Sequence, residues 1–253
     1  MEMQYFKDYS PAMGRDMECK LYGHSGKPVL YIPTQDARFF SFEDMGMLDA
    51  WRPWLDAGKA MVLSIDTIDL ESWSDKAGDP CRRARRYEQW MEYITREIVP
   101  FFRSLANEKN GWEGYPGIMA FGCSLGATHA ANLYFRFPDL FDTLLGLSGI
   151  YTADYGFDGY WDEVVYRNSP VNYLGDMPAD HPFIQRYKQN RGILCVGQGD
   201  WEIPESTREM GRICEAKGIP LWVDLWGYDV KHDWDWWFKQ VGYFLPYLLE
   251  SNT

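Results

Sequence analysis

Gly122-Cys123-Ser124-Leu125-Gly126 sets a serine between two glycines, where an apolar run at 117–121 meets a helical pattern at 125–137. A serine hydroxyl attacks a carbonyl well only when a base takes its proton. That base in turn needs an acid to orient it and to stabilise its charged form. The G-x-S-x-G spacing suits such a serine, because a sharp strand-to-helix turn leaves the hydroxyl exposed. Side chains at 122 and 126 would clash where the backbones close in. The turn also sets Ser124 at the positive end of the following helix.

Behind an elbow of this kind the acid and then the histidine follow the serine, on loops after late strands. His232 meets that order, lying between the run Leu221–Leu225 and the last helical pattern. His24 sits in an early turn, His129 on the elbow helix where the geometry points it away, and His181 in a segment without period. The acid should end the run Ile193–Val196, where Gly197-Gln198-Gly199-Asp200-Trp201-Glu202 offers two carboxylates. Asp200 comes first after the glycines and is the expected acid, with Glu202 as its rival. Asp229 and Asp233 flank the histidine too closely in sequence to be typical. An oxyanion needs two backbone N–H donors. Leu125, next after the serine, should give one, and Gln35 in the loop after Val29–Ile32 the other, with Asp36 behind it.

The elements that must hold these residues are legible as alternation. Val29–Ile32, Met61–Ile65, Gly117–Phe121, Leu144–Leu147, Ile193–Val196 and Leu221–Leu225 are short, continuous apolar runs, as buried parallel strands are. Met17–Tyr22 alternates more and suits an outer strand. Tyr87, Met91, Ile94, Ile98 and Phe101 carry helical spacing, with Pro100 expected to kink or end it. Further helices are expected at 125–137, from Pro204 to Gly218, and from about Asp235 to Leu249. Strand–helix alternation of this kind predicts an α/β fold, a mostly parallel sheet covered on both faces. Residues 150–190 break the rhythm: aromatics alternate with Asp, Gly and Asn without period, which predicts an irregular insertion over the active-site edge of one domain spanning 1–253.

The chain has 253 residues, 46% of them hydrophobic and 25% charged, which are globular values. Thirty-seven acidic against 25 basic residues give a net charge of −12, a field that repels nucleic acid and anionic membrane surfaces. No apolar stretch is long enough for a transmembrane helix, and no secretory signal is visible at Met1–Asp16. Five scattered cysteines without a CxxC pair argue against a disulfide framework or a zinc site, and fit a reducing cytoplasm. Cys123 is expected to pack inward, and Cys81-Arg82-Arg83-Ala84-Arg85-Arg86 to be a solvated helix start.

The motifs around Ser124, together with Gly197–Glu202 and Trp226-Gly227-Tyr228-Asp229-Val230-Lys231-His232-Asp233-Trp234, resemble the esterase D-type "putative esterase" family of α/β-hydrolases. That family includes S-formylglutathione hydrolases, feruloyl and enterochelin esterases, and mycolyltransferase antigens. The resemblance covers about residues 15–248. It implies the α/β-hydrolase fold, Ser124 as nucleophile, Asp200 as acid and His232 as base. Where many members carry His-Gly or Asp-Gly after the third strand, this chain has Pro33-Thr34-Gln35-Asp36, without the glycine.

The sequence thus predicts a serine hydrolase that cleaves carboxylic esters through an acyl-enzyme, without cofactor or metal, acting on a small-molecule ester. Acyl transfer or thioester hydrolysis would use the same residues, and a catalytically silent binding module the same fold. Arg38, Phe39 and Phe40 after one strand, Trp73 after another, and Trp161, Trp201 and Trp234 are expected to line the substrate pocket, since ligands bind at the C-terminal edge of such sheets.

Overall fold

A computed structural model describes residues 1–114 and 116–250. Its centre is an eight-stranded sheet: β1 (Met3–Ser10), β2 (Arg15–Tyr22), β3 (Lys27–Ile32), β4 (Ala60–Ile65), β5 (Ile118–Cys123), β6 (Phe141–Leu147), β7 (Arg191–Val196) and β8 (Leu221–Leu225). The strands lie in the order β1-β2-β4-β3-β5-β6-β7-β8. The β1–β2 and β2–β4 pairs are antiparallel, and all others are parallel. The apolar runs are β3 to β8, of which β3 to β7 lie inside the sheet and β8 at its edge. Their alternate side chains enter two cores, Leu30, Ile32, Leu63 and Ala120 on one face and Val29, Tyr31, Val62 and Phe121 on the other.

Two helices, α1 (Ser41–Asp44) and α2 (Met47–Asp56), follow β3, and α3 (Pro80–Tyr93) and α4 (Val99–Asn110) follow β4. Trp51 and Leu55 of α2 pack on the face carrying Val29; Trp90, Met91 and Phe102 of α3 and α4 pack on the other. Pro100 neither ends the helical path nor breaks it. One widened π turn at Ile94–Ile98 joins α3 to α4, and Pro100 follows directly on that widened turn. The arginine run at the start of α3 is not simply solvated. Arg83 is buried and donates to the carbonyls of Ser72, Trp73 and Gly156 and to Asp158.

The helix after the elbow, α5 (Leu125–Arg136), is buried over its length through Phe135, as Gly126, Ala127, Ala130 and Ala131 allow. Segment 150–190 is more regular than its composition suggests. It folds as four short helices: α6 (Asp154–Phe157), α7 (Glu163–Arg167), α8 (Pro170–Asp176) and α9 (Pro182–Tyr187). Two long helices complete the chain, α10 (Glu205–Lys217), closed by left-handed Gly218, and α11 (Trp234–Leu249). Among the described residues no helix is long and apolar enough to cross a membrane.

Candidate active site

Ser124 follows the C-terminal end of β5, between the ends of its neighbours β3 and β6. The serine has φ 55° and ψ −130°, between strand β5 and helix α5, and its N–H bonds to Leu147 O at 2.8 Å. Glycines are required on either side of this turn. A Cβ on Gly122 would lie 2.3 Å from the Gly126 carbonyl carbon, and one on Gly126 would lie 2.3 Å from Ile32 O. The turn therefore presses the start of α5 against the end of β3 and leaves the Ser124 hydroxyl at the surface of a cleft.

His232 Nε2 stands 2.9 Å from Ser124 Oγ. On the far side of the imidazole, Nδ1 lies 3.2 Å from Glu202 Oε2. Glu202, not Asp200, faces the histidine, so the expected Ser124–His232–Asp200 constellation is corrected at its third member. The loop geometry gives the reason. The chain turns back on itself after β7, with Trp201 at φ +66° and Glu202 N–H reaching Gly199 O at 3.3 Å. Asp200 sits at the tip of that turn. Its backbone carbonyl accepts the His232 N–H at 3.1 Å, while its carboxylate points outward to Lys231 at 2.8 Å with the side chain 66% exposed. That contact holds the Lys231 ammonium above its ordinary pKa. Glu202 returns beneath the turn with its side chain 1% exposed. Its second oxygen accepts the Ser148 hydroxyl at 2.7 Å and the Gly197 N–H at 3.2 Å. A carboxylate with three donors around it cannot rotate away from the imidazole.

Two groups that the sequence reading missed complete this arrangement. Ser148, at φ +58° just past β6, also accepts the Trp237 indole N–H at 3.0 Å. Trp237, in the first turn of α11, meets the His232 ring edge-on at 5.0 Å. The clue to Ser148 was its place at the end of the strand beside β5, the edge where the elbow opens.

A cleft over the serine is lined by Gln35, Leu125, Thr128, Ile150, Tyr155, Trp201 and Ile203 together with Ser124, Ser148 and His232. Gln35 and Leu125, the residues expected to give the oxyanion N–H donors, both line this cleft. As the first residue of α5, Leu125 has an N–H without a partner inside the helix.

Of the expected pocket residues, only Trp201 lines this cleft. Arg38 is held by Asp66 at 2.8 Å and Glu18 at 2.5 Å, and Phe39 is buried against Tyr5 and Phe40. Phe40 itself is exposed but does not line the cleft. Trp73 is core, wedged among Tyr87, His129 and Phe157. Trp161 leans on Tyr166 and Trp234 packs on Trp237 and Phe238. Instead the start of the 150–190 segment contributes Ile150 and Tyr155, and the residue after Glu202 contributes Ile203. Tyr155, Trp201 and Ile203 are 58%, 88% and 44% exposed, an apolar surface left uncovered beside the serine.

Beneath the elbow, Cys123 is fully buried, and burial, with the Glu202 charge adding to it, pushes its thiol well above the ordinary value. All five cysteines are free.

Comparison with known proteins agrees with this architecture. Among solved structures, the chain is similar to a ferulic acid esterase, with a TM-score of 0.74, 16% identity and 98% of each chain covered. It is also similar to an S-formylglutathione hydrolase from Agrobacterium tumefaciens (TM-score 0.69, 14% identity, 98% of this chain and 93% of that one). A third similar structure is the ferulic acid esterase of the anaerobic fungus Anaeromyces mucronatus in complex with ferulic acid (TM-score 0.64, 12% identity, 99% and 90% covered). A search of curated protein sequences finds no match. At such identities the structures speak for the fold. The family model described as "Putative esterase" matches residues 10–242, nearly the whole chain. The protein belongs to this esterase family of α/β-hydrolases, and is a carboxylic ester hydrolase.

Proposed function

We propose that Ser124, His232 and Glu202 are the catalytic triad of a serine esterase. The observation that carries the reading is the unbroken line of contacts from Ser124 Oγ to His232 Nε2, 2.9 Å, and from Nδ1 to Glu202 Oε2, 3.2 Å. His232 takes the serine proton at Nε2 as Oγ bonds to the ester carbonyl carbon. Glu202 accepts the Nδ1–H, fixing the tautomer and stabilising the imidazolium. Negative charge gathers on the former carbonyl oxygen, where the Leu125 and Gln35 N–H groups receive it. As the intermediate collapses, the C–O bond to the alcohol breaks and the imidazolium protonates the leaving oxygen. A water, deprotonated by the same imidazole, then attacks the acyl-serine and releases the acid.

Tyr155, Trp201, Ile203 and Ile150 favour a substrate with an apolar or aromatic group next to the carbonyl. Esters of ferulic acid, the ligand of one similar structure, are the first to try. We read the chain as one domain with segment 150–190 laid over the active-site edge, and its free, mostly buried thiols suit a reducing cytoplasm.

Fluorophosphonate labelling with mass mapping tests the nucleophile. A single adduct on Ser124, and loss of both adduct and p-nitrophenyl acetate hydrolysis in a folded Ser124→Ala variant, are the expected results. More than a few per cent of residual activity in that variant would place the nucleophile elsewhere.

A further inference from the structure

Close to the triad lies a second acid–histidine pair that the reaction above does not use. His129 Nε2 is 3.0 Å from Asp69 Oδ1, and both side chains are buried. The other imidazole nitrogen, Nδ1, is 2.9 Å from the Tyr87 hydroxyl, whose oxygen also accepts the Asn132 amide at 3.4 Å. The donors run one way along this chain. Asn132 donates to Tyr87, Tyr87 to Nδ1, and Nε2–H to Asp69. The second oxygen of Asp69 is spent outside the pair: it accepts the backbone N–H of Asp36 at 3.1 Å.

Asp36 is an unusual residue to find there. It has φ +59°, in the left-handed region that favours glycine, and is exposed. It forms, with Gln35, the centre of a turn closed by Ala37 N–H to Thr34 O at 3.0 Å. Gln35 lines the cleft with Ser124, Leu125 and His232. A residue held in a disfavoured backbone well needs surrounding structure to over-determine it, and the Asp69 carboxylate is the group that grips this peptide. The grip is itself anchored, since the N–H groups of Ser72 and Ser74 bond to the Asp69 carbonyl at 2.9 and 2.8 Å. His129 lies on α5, the helix whose first N–H is that of Leu125. The chain Asp36–Asp69–His129 therefore refers the Gln35 turn to the same helix that carries the other oxyanion donor.

We propose that Asp69, aimed by His129, is a positioning residue that holds the Gln35–Asp36 turn in its left-handed form and so presents the Gln35 N–H to the oxyanion. This rests on the esterase reading above. A core pair serving only stability would be as well replaced by apolar residues, and it would have no reason to direct an oxygen at an exposed turn.

The test is a double-mutant cycle on Asp69 and Asp36, read with p-nitrophenyl acetate. Asp69→Ala should lower kcat by roughly 10- to 100-fold, less than or equal to the loss of a whole oxyanion donor, with KM within about threefold. Affinity for a trifluoromethyl ketone, whose adduct carries the oxyanion, should fall by about the same factor. In an Asp36→Gly background, where the left-handed φ is free, Asp69→Ala should cost less than about threefold in kcat. Equal losses in both backgrounds, or a loss confined to KM, would overturn the proposal. If Asp69→Ala does not fold, Asp69→Leu, which keeps a similar volume and gives up both acceptor oxygens, enters the same cycle. Hydrogen exchange of the Asp36 amide reads the clamp without any chemistry. It should be slow in the wild type and faster in either Asp69 variant, and unchanged exchange also overturns the proposal. Should wild-type Ser124 take up no fluorophosphonate, the esterase reading fails instead, and the exchange rates still decide whether Asp69 holds the turn.

Discussion

Replacing Glu202 by Gln should nearly extinguish turnover, while Asp200→Asn should leave it almost intact. The size of the first effect follows from the geometry. During acylation His232 becomes an imidazolium with Nδ1 3.2 Å from a carboxylate whose side chain is 1% exposed. With an effective dielectric of about 20, 332/(20 × 3.2) gives about 5 kcal/mol of attraction, close to four decades in rate at 1.36 kcal/mol each. The amide cannot evade this by flipping. The Oε1 position accepts from Ser148 and Gly197, so the glutamine oxygen must stay there and its NH2 must face the imidazole. Nδ1 then becomes the acceptor and Nε2 carries the proton, which leaves Ser124 without a base. The expected loss in kcat is therefore about 10³- to 10⁴-fold, with KM little changed. Asp200→Asn removes only an exposed contact with Lys231 and keeps the backbone carbonyl that binds His232 N–H, so kcat should change by less than about twofold. Steady-state kinetics with p-nitrophenyl acetate, on variants whose circular dichroism melts match the parent, decide the matter. If Asp200→Asn costs more than Glu202→Gln, the acid is Asp200 and the loop geometry argued above is wrong.

Other outcomes follow from the same cleft. Tyr155→Ala should alter the ratio of kcat/KM between aromatic and acetyl esters by roughly tenfold, the worth of a lost aromatic contact of about 1–2 kcal/mol, whereas Trp161→Ala should shift it by less than about twofold. Uniform scaling across substrates in Tyr155→Ala would remove Tyr155 from the pocket wall. Burial raises the Cys123 thiol, so it stays protonated at neutral pH. Iodoacetamide should leave it unmodified in the folded protein and alkylate it once urea unfolds the chain. Rapid modification of Cys123 in the native state, read by peptide mass mapping, would contradict that burial.

The central sheet was legible in the sequence because strands buried on both faces need apolar side chains at every position, and five such runs became β3 to β7, while the sixth became β8, a half-buried edge strand. β1 was not. Its MQYFKDYS is nearly all exposed, an edge strand with no face to declare. The helices of segment 150–190 hid for another reason. At four to seven residues each they are too short to show a 3.6-residue period, and their starts are marked only by caps and prolines: Asp162 accepting the Val165 N–H, and Pro170 and Pro182 at first positions. Those marks were present in the chain, but without a periodic stretch beside them they read as turns.

The site was legible up to the point where the backbone turns left-handed without a glycine. Ser124 could be found because its strained φ comes with flanking glycines forced by close packing. Asp36, Ser148 and Trp201 share the same positive φ, and none of them advertises it by residue type. Four of the five non-glycine residues with positive φ among the described residues thus lie at the cleft or next to a residue that lines it. Each one redirects the chain at a decisive place: Asp36 beside Gln35, Ser148 under Glu202, Trp201 between the two candidate acids. Ranking Asp200 over Glu202 rests on its coming first after the glycines, where a tight loop can aim it inward. The left-handed Trp201 reverses the chain instead, exposes the first carboxylate and buries the second. Strain of this kind persists only where surrounding contacts outweigh it, and here those contacts are the hydrogen bonds to Glu202, Ser148 and Asp69. Which carboxylate faces His232 is therefore written in tertiary contacts between distant loops, which local residue patterns do not carry.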